Sequence, residues 1–215
     1  MAIAFDAASN GVANPGTSVT VAHTCTGDNR ILFTLVKSGN SAGQSGQTLS
    51  CTYNGVAMTQ IDTQTPGDTT CTIGLFYILA PATGGANVVA SHGANQFIQA
   101  SSASYTGVGN GQPDASAKGT DATSEFTQAV ITIADNCWVV GGCANGLGNA
   151  VAAATATTAR AGSGSSSCLG DNNAAKTPAG SVTLAWSGSG AHALIVASFS
   201  PGIQGGGFIP SIIIM

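Results

Sequence analysis

Short apolar runs alternate along the chain with clusters of Gly, Asn, Asp and Pro, and no stretch of ten or more residues keeps a clean helical period. The runs predict strands at 2–6, 17–25, 30–37, 48–53, 56–61, 70–79, 86–91, 96–105, 126–133, 137–144, 151–159, 180–187 and 191–199. Many short strands separated by turn residues predict an all-β fold, an antiparallel β-sandwich of jelly-roll-like form, rather than βαβ units. The clearest local unit is TLSCTYNGVAMTQI, residues 48–61. Asn54-Gly55 suits the centre of a two-residue type I′ hairpin, where both positions need φ > 0. That turn sets Tyr53 opposite Val56, Cys51 opposite Met58 and Leu49 opposite Gln60. Leu49, Cys51, Tyr53, Val56 and Met58 are then expected to face a core, and a one-residue slip would destroy the pattern. TCTIGLFYIL (70–79) and AHALIVASF (191–199) are apolar on both faces, which predicts central strands covered on both sides. SGNSAGQSGQ (38–47) and GVGNGQPDASAKGTDATS (107–124) read as long polar loops.

Composition changes the picture chiefly through charge. Asp, Glu, Lys and Arg make up 7% of the 215 residues, against roughly 25% in an ordinary soluble domain. The formal net charge is −4 and the five basic residues are spread along the chain. No basic stripe exists, so nucleic-acid binding through phosphates is not expected. A hydrophobic fraction of 43% argues against disorder despite the Gly and Ser richness. A surface carried by Ser, Thr, Asn, Gln and Gly repels copies of itself weakly, which suits a protein that works inside a dense assembly. Residues 1–22 lack a basic segment followed by a continuous apolar core, so no signal peptide is expected; no run approaches transmembrane length, so no membrane span is expected either.

The candidate chemistry is sparse. GNSAG (39–43) matches the Gly-x-Ser-x-Gly nucleophile pattern at Ser41, but no helix follows to form the required elbow. Glu125 is the single glutamate, and no acidic pair sits at i, i+2 on a predicted strand, so the paired carboxylates of a glycosidase are missing. Asp62, Asp68, Asp114, Asp121 and Asp171 lie in turn-like segments and read as turn formers. Asp, Asn and backbone carbonyls are also the ligand set of Ca²⁺, which one of these loops could hold; no other cofactor is expected. His23 shares a face with Val19, Val21 and Cys25 and reads as a hydrogen-bonded, half-buried residue. Trp138 and Trp186 read as core residues, with a sugar-stacking platform as the functional alternative. The cysteines at 25, 51, 71, 137, 143 and 168 show no Cys-x-x-Cys spacing, which speaks against zinc. They read as small buried hydrophobes or as disulfides, with the pairing left open.

The sequence closes on GGGFIPSIIIM. The expected organisation is one β-sandwich domain, 1–200, and a C-terminal extension, 201–215. In that extension Gly205, Gly206 and Gly207 form a hinge. Phe208, Ile209, Ile212, Ile213, Ile214 and Met215 carry the apolar side chains. Such a tail is expected to act as an assembly element that docks on a neighbouring subunit, most simply as an added strand.

Four stretches together, VAHTCTGDNRILFTL (21–35), TYNGVAMTQI (52–61), LFYILAPATGGANVV (75–89) and ASYTGVGNGQPDAS (103–116), resemble a diffuse group of jelly-roll-like β-sandwich domains in bacterial surface proteins and tailed-phage virion proteins. Arg30, Pro81 and Pro113 match that group's pattern as scaffold positions, and no catalytic residue carries over. The resemblance implies a structural or binding role without enzymatic activity. The expectation is a virion structural protein, a head-decoration, tail or fibre subunit made in the host cytoplasm, whose partners are other copies of itself and other virion proteins. The alternative is an extracellular surface module or adhesin that binds cell-surface glycan.

Overall fold

The computed structural model describes residues 1–111 and 113–202, and among them the regular structure is β-strand throughout. The chain forms the expected all-β antiparallel sandwich, with more layers than two. The first half builds one sheet from β1 (Ala4–Cys25), β2 (Ile31–Ser38), β3 (Leu49–Tyr53), β4 (Val56–Ala57), β5 (Thr59–Gln64), β6 (Thr72–Leu79) and β7 (Gly84–Thr106), in the order β4-β3-β7-β2-β6-β5 with β1 on the other side of β7. The second half builds two sheets. One is β12-β13-β10-β15-β8, from β8 (Ala115–Asp121), β10 (Trp138–Asn145), β12 (Thr158–Ala161), β13 (Ser167–Asp171) and β15 (His192–Phe199). The other is β11-β14-β9, from β9 (Glu125–Ile131), β11 (Val151–Ala153) and β14 (Ser181–Gly188).

The first sheet curls on itself because its two longest strands bend together. β1 and β7 pair over nearly their whole length, with register shifts between Ala13 and Ser18. The bend lays the second half of β1 over the first: a Cβ built on Gly11 would fall 2.6 Å from Val21 Cγ2. Along the other edge of β7, β2 pairs with residues 98–105 and β3 with residues 88–92. The nearly closed sheet encloses Val19, Val21, Leu32, Val36, Tyr53, Phe76, Val88 and Ile98. The separate strands expected at 2–6 and 17–25, and at 86–91 and 96–105, are thus the halves of two long bent strands. Asn14-Pro15-Gly16 and residues 92–95 fall in the gaps between those expected strands, and they are where the β1–β7 pairing is interrupted and the ribbon bends.

The outer face of β2, β6 and β7 meets β10, β13 and β15 across a second cluster, with Phe33, Leu35, Ile73, Leu75 and Tyr105 on one side and Trp138, Val140, Leu169, Ile195 and Phe199 on the other. The reverse face of β10 and β15 meets the third sheet through Val139, Cys143, Leu194 and Val196 against Phe126, Val130, Leu184 and Trp186. β2, β10 and β15 are therefore buried at every residue. For β15 this bears out the reading of its two-sided apolar pattern as a central strand; β6 lies between β2 and β5 and is buried from Thr72 to Phe76 and half-buried from Tyr77 to Leu79. The two halves share the middle cluster, and Pro201 and Gly202 pair with Val108 and Gly107, so residues 201 and 202 belong to the sandwich.

Three further expectations are corrected. The hairpin at Asn54 (φ 50°) and Gly55 (φ 76°) forms with Tyr53 opposite Val56 and Thr52 opposite Ala57. Leu49, Cys51, Tyr53 and Met58 are buried, but Val56 is 57% exposed. Past Met58 the chain leaves β3, so β5 pairs with β6 while Leu49 pairs with His92 rather than Gln60. The polar stretch 107–124 contains β8, and the expected strand 151–159 is split between β11 and β12. β13, SCLGD, was hidden by its small and polar residues and is fully buried.

Candidate functional site

Hydrogen-bonded polar residues tie the layers together, and their geometry shows which of them are available for chemistry. His23, on the inner face of bent β1, joins both halves of the ribbon. Its Nδ1 lies 2.8 Å from Ser9 Oγ and its Nε2 lies 3.0 Å from Ser104 Oγ. Ser104 donates to Asp6 Oδ2 at 2.8 Å, so its oxygen accepts from Nε2–H and Nδ1 accepts from Ser9. This is the polarity of a nucleophile and its base. The base is nonetheless buried at 3% exposure, and burial lowers its pKa against the opposing pull of Asp6. The adjoining cavity, of about 600 Å³, is lined by His23, Ala22, Thr52, Asn54, Gly55 and Asn87 among others, but not by Ser9. The relay is a clasp that holds the folded-over ribbon.

A second polar knot crosses between the halves. Arg160 on β12 donates to both carboxylate oxygens of Asp171 on β13, at 2.7 and 3.0 Å, and Tyr105 on β7 donates to Oδ2 at 2.7 Å. The guanidinium also sits 4.1 Å over the Phe5 ring. Asp171 is completely buried; its Oδ1 accepts from Asn173 N–H at 2.9 Å, as its reading as a turn former expects, and the same carboxylate is also the anion at the centre of an inter-sheet bond. Burial, and then the negative charge of Asp171, push the Tyr105 phenol well above its ordinary pKa. Lys37 on β2 is also fully buried, with Nζ donating to Ser166 Oγ at 2.5 Å and to Asn40 Oδ1 at 3.4 Å, and lying 4.5 Å over the Phe97 ring. Burial pulls its ammonium down to about 8.

The other sequence candidates sit apart from one another. Ser41 is exposed in a turn closed by Gln44 N–H on its own carbonyl. Glu125 is exposed at the start of β9. Asp62 pairs with Lys118 at 2.6 Å. Asp68 caps Thr70, Asp121 caps Thr123, and Asp114 accepts from Ser198. No three of His, Cys, Asp and Glu converge as a metal group among the described residues. All six cysteines are buried free thiols, as the hydrophobe reading expects and the disulfide reading does not. Trp138 and Trp186 are 9% and 0% exposed, and Tyr53 and Tyr105 are buried with them. The stacking platform that a glycan module needs is therefore not built from either tryptophan.

What the described surface does present is an open corner. β8 ends one sheet, pairing only with β15, and β9 ends the next, pairing only with β14. The two edges lie side by side because β8 and β9 are consecutive in the chain. Between them runs a groove of about 570 Å³ lined by Ala115, Ser116, Ala117, Ala129, Val130, Ile131 and Ser181. None of these residues is charged. Lys118, the charge in the middle of β8, is turned away to Asp62 on β5. Ile131 is 69% exposed and Ile133, just beyond, 67%. Sequence reasoning missed this site because it placed β8 inside a loop; the signal was IleThrIle at 131–133, an apolar pair on the outward side of a short strand.

The assembly residues Phe208, Ile209, Ile212, Ile213, Ile214 and Met215, and the hinge Gly205, Gly206 and Gly207, lie outside the described residues. Neither the protein-family models nor the curated proteins contain a match to this chain.

Proposed function

We propose that this chain is a non-enzymatic structural subunit that associates with copies of itself or with neighbouring subunits through open sheet edges, in the setting of a phage virion as a head-decoration, tail or fibre component. The observation that carries the proposal is the groove between the edges of β8 and β9, lined by uncharged and mostly apolar residues, with Ile131 exposed in it and Ile133 exposed just beyond. Edge strands of soluble monomers are commonly protected by charge, proline or a covering segment. This edge has none of these in its groove and is suited to be covered by another chain.

Three features support the same reading. A chain of which 7% of the residues are charged resists association poorly. The polar clusters are spent on joining layers, which makes a rigid block rather than a reactive cleft. The resemblance of residues 21–116 to virion and surface sandwich domains supplies the virion setting. The test is sedimentation equilibrium of the full chain across a wide concentration range, alongside a screen of ester and glycan substrates. Association above the 20.9 kDa monomer, with no activity that Ser41→Ala or Glu125→Gln removes, is the expected result. A monomer at every concentration, or a robust activity lost in either variant, would overturn the proposal.

A further inference from the structure

The groove between β8 and β9 selects its occupant by chemistry and reach, and we propose that the occupant is residues 203–215 of a second copy of this chain, added as a strand along the unpaired side of β9. This rests on the assembly reading above and names its partner. A groove walled by Ala115, Ala117, Ala129 and Ile131 and rimmed by Ser116 and Ser181 offers no counter-charge. Its ligand must be uncharged, apolar and extended. Residues 203–215, IQGGGFIPSIIIM, contain no ionisable side chain and carry isoleucine at five positions. The unpaired side of β9 offers backbone donors and acceptors that an extended segment can satisfy. Pro210 has no N–H to offer, so the pairing stretch is Ser211–Met215, in which Ile212 and Ile214 share one face and Ile213 and Met215 the other. The small side chains of Ala115, Ala117 and Ala129 leave the space that branched side chains fill.

The place where the segment starts also fits. Gly202 is anchored, its N–H donating to Gly107 and its carbonyl accepting from the amino group of Met1. Ser198, four positions earlier, pairs with Ala115 at the near end of the groove. Root and groove thus lie at the same end of the same sheet edge. A segment of this length spans at most about 43 Å when extended. β15 runs antiparallel to β8 and leaves the groove behind at Ser198, so a segment that followed it into its own groove would have to reverse after Gly202, a constraint that does not bind the segment of a second copy. Each copy then offers one strand and one receptor, the arrangement that closes into rings or two-fold exchanges, or runs on as a filament.

The experiment uses two full-length variants. The first, Ile212→Asp with Ile214→Asp, spoils the strand and keeps the groove. The second, Ala129→Glu with Ile131→Glu, blocks the groove and keeps the strand; both positions are exposed, so the core is untouched. Sedimentation velocity is run on wild type, on each variant alone and on their equimolar mixture. The expected result is association of wild type, at least a tenfold weaker association of each variant alone, and recovery of a one-to-one complex in the mixture, since one variant supplies the receptor and the other the strand. Wild type and both variants associating equally would overturn this proposal and leave the assembly reading standing. Association lost in both variants without recovery in the mixture would also overturn it, because separate roles for strand and groove demand complementation. A wild type that stays monomeric would overturn the assembly reading itself.

Discussion

At the scale of single residues, the molecule holds ionisable groups in places that suit only one of their charge states. Lys37 is buried without a carboxylate within ion-pairing distance among the described residues, and its pKa falls from 10.5 to about 8. The unfolded chain therefore binds the extra proton between about pH 8 and 10.5, so this residue makes stability rise with pH across that window. The buried thiols act in the opposite sense. Burial pushes Cys51 and Cys71 up to about 12, and Cys137 and Cys168 to about 11, from 9.0. The unfolded state loses those protons first, so stability falls above pH 9. His23 and His192, both lowered from 6.5 chiefly by burial, must stay neutral in the fold, which makes stability fall as pH drops below 6.5. Denaturant melts across pH should thus peak between about pH 8 and 9. Lys37→Met should raise stability at pH 7, by at most about 3 kcal/mol, and remove the rise between pH 7.5 and 9. A peak unmoved by that substitution would show that Lys37 pays no burial cost. Asp171 gives the converse case. Arg160→Ala strips the partner from a fully buried carboxylate and should cost about 3–5 kcal/mol in equilibrium unfolding.

At the scale of elements, turn chemistry and close packing make the sharper predictions. Gly55 holds φ at 76°, and a Cβ added there meets nothing within 4 Å. Gly55→Val therefore tests backbone strain alone, and a loss of about 1–2 kcal/mol or more is expected for a β-branched residue in that region. Gly142 tests the opposite term. Its φ is ordinary, but a Cβ would fall 2.5 Å from Leu35 Cδ1, where two sheets meet. Gly142→Ala should cost about 1–3 kcal/mol, and Leu35→Val in the same chain should return part of it. These elements also show what the sequence made legible. The hairpin turn, the two-sided burial of β6 and β15 and the inward face of Val19, Val21, His23 and Cys25 follow from local pattern. β8 and β13 do not, because ASAKGTD and SCLGD owe their strand form to pairing with β15 and β10 and not to propensity. The bent strands β1 and β7 were cut in two for the same reason: a turn signal marks a change of direction, and only tertiary pairing tells a bend from an end. The groove was illegible because β8 was.

At the scale of the whole molecule, the described residues form stacked sheets held by three apolar clusters, with polar bonds between them, and none of those residues covers the β8–β9 corner. The central claim is that another copy covers that corner. Hydrogen–deuterium exchange on peptides spanning 125–133 tests it most directly, compared between dilute monomer and assembled protein. Among the described residues β9 is paired on one side only, with β14. In the assembly, amide exchange across 125–131 should slow by at least tenfold, while peptides from β10 and β15, already buried on both faces, stay unchanged. Exchange across 125–131 that is equally fast in monomer and assembly would contradict the account.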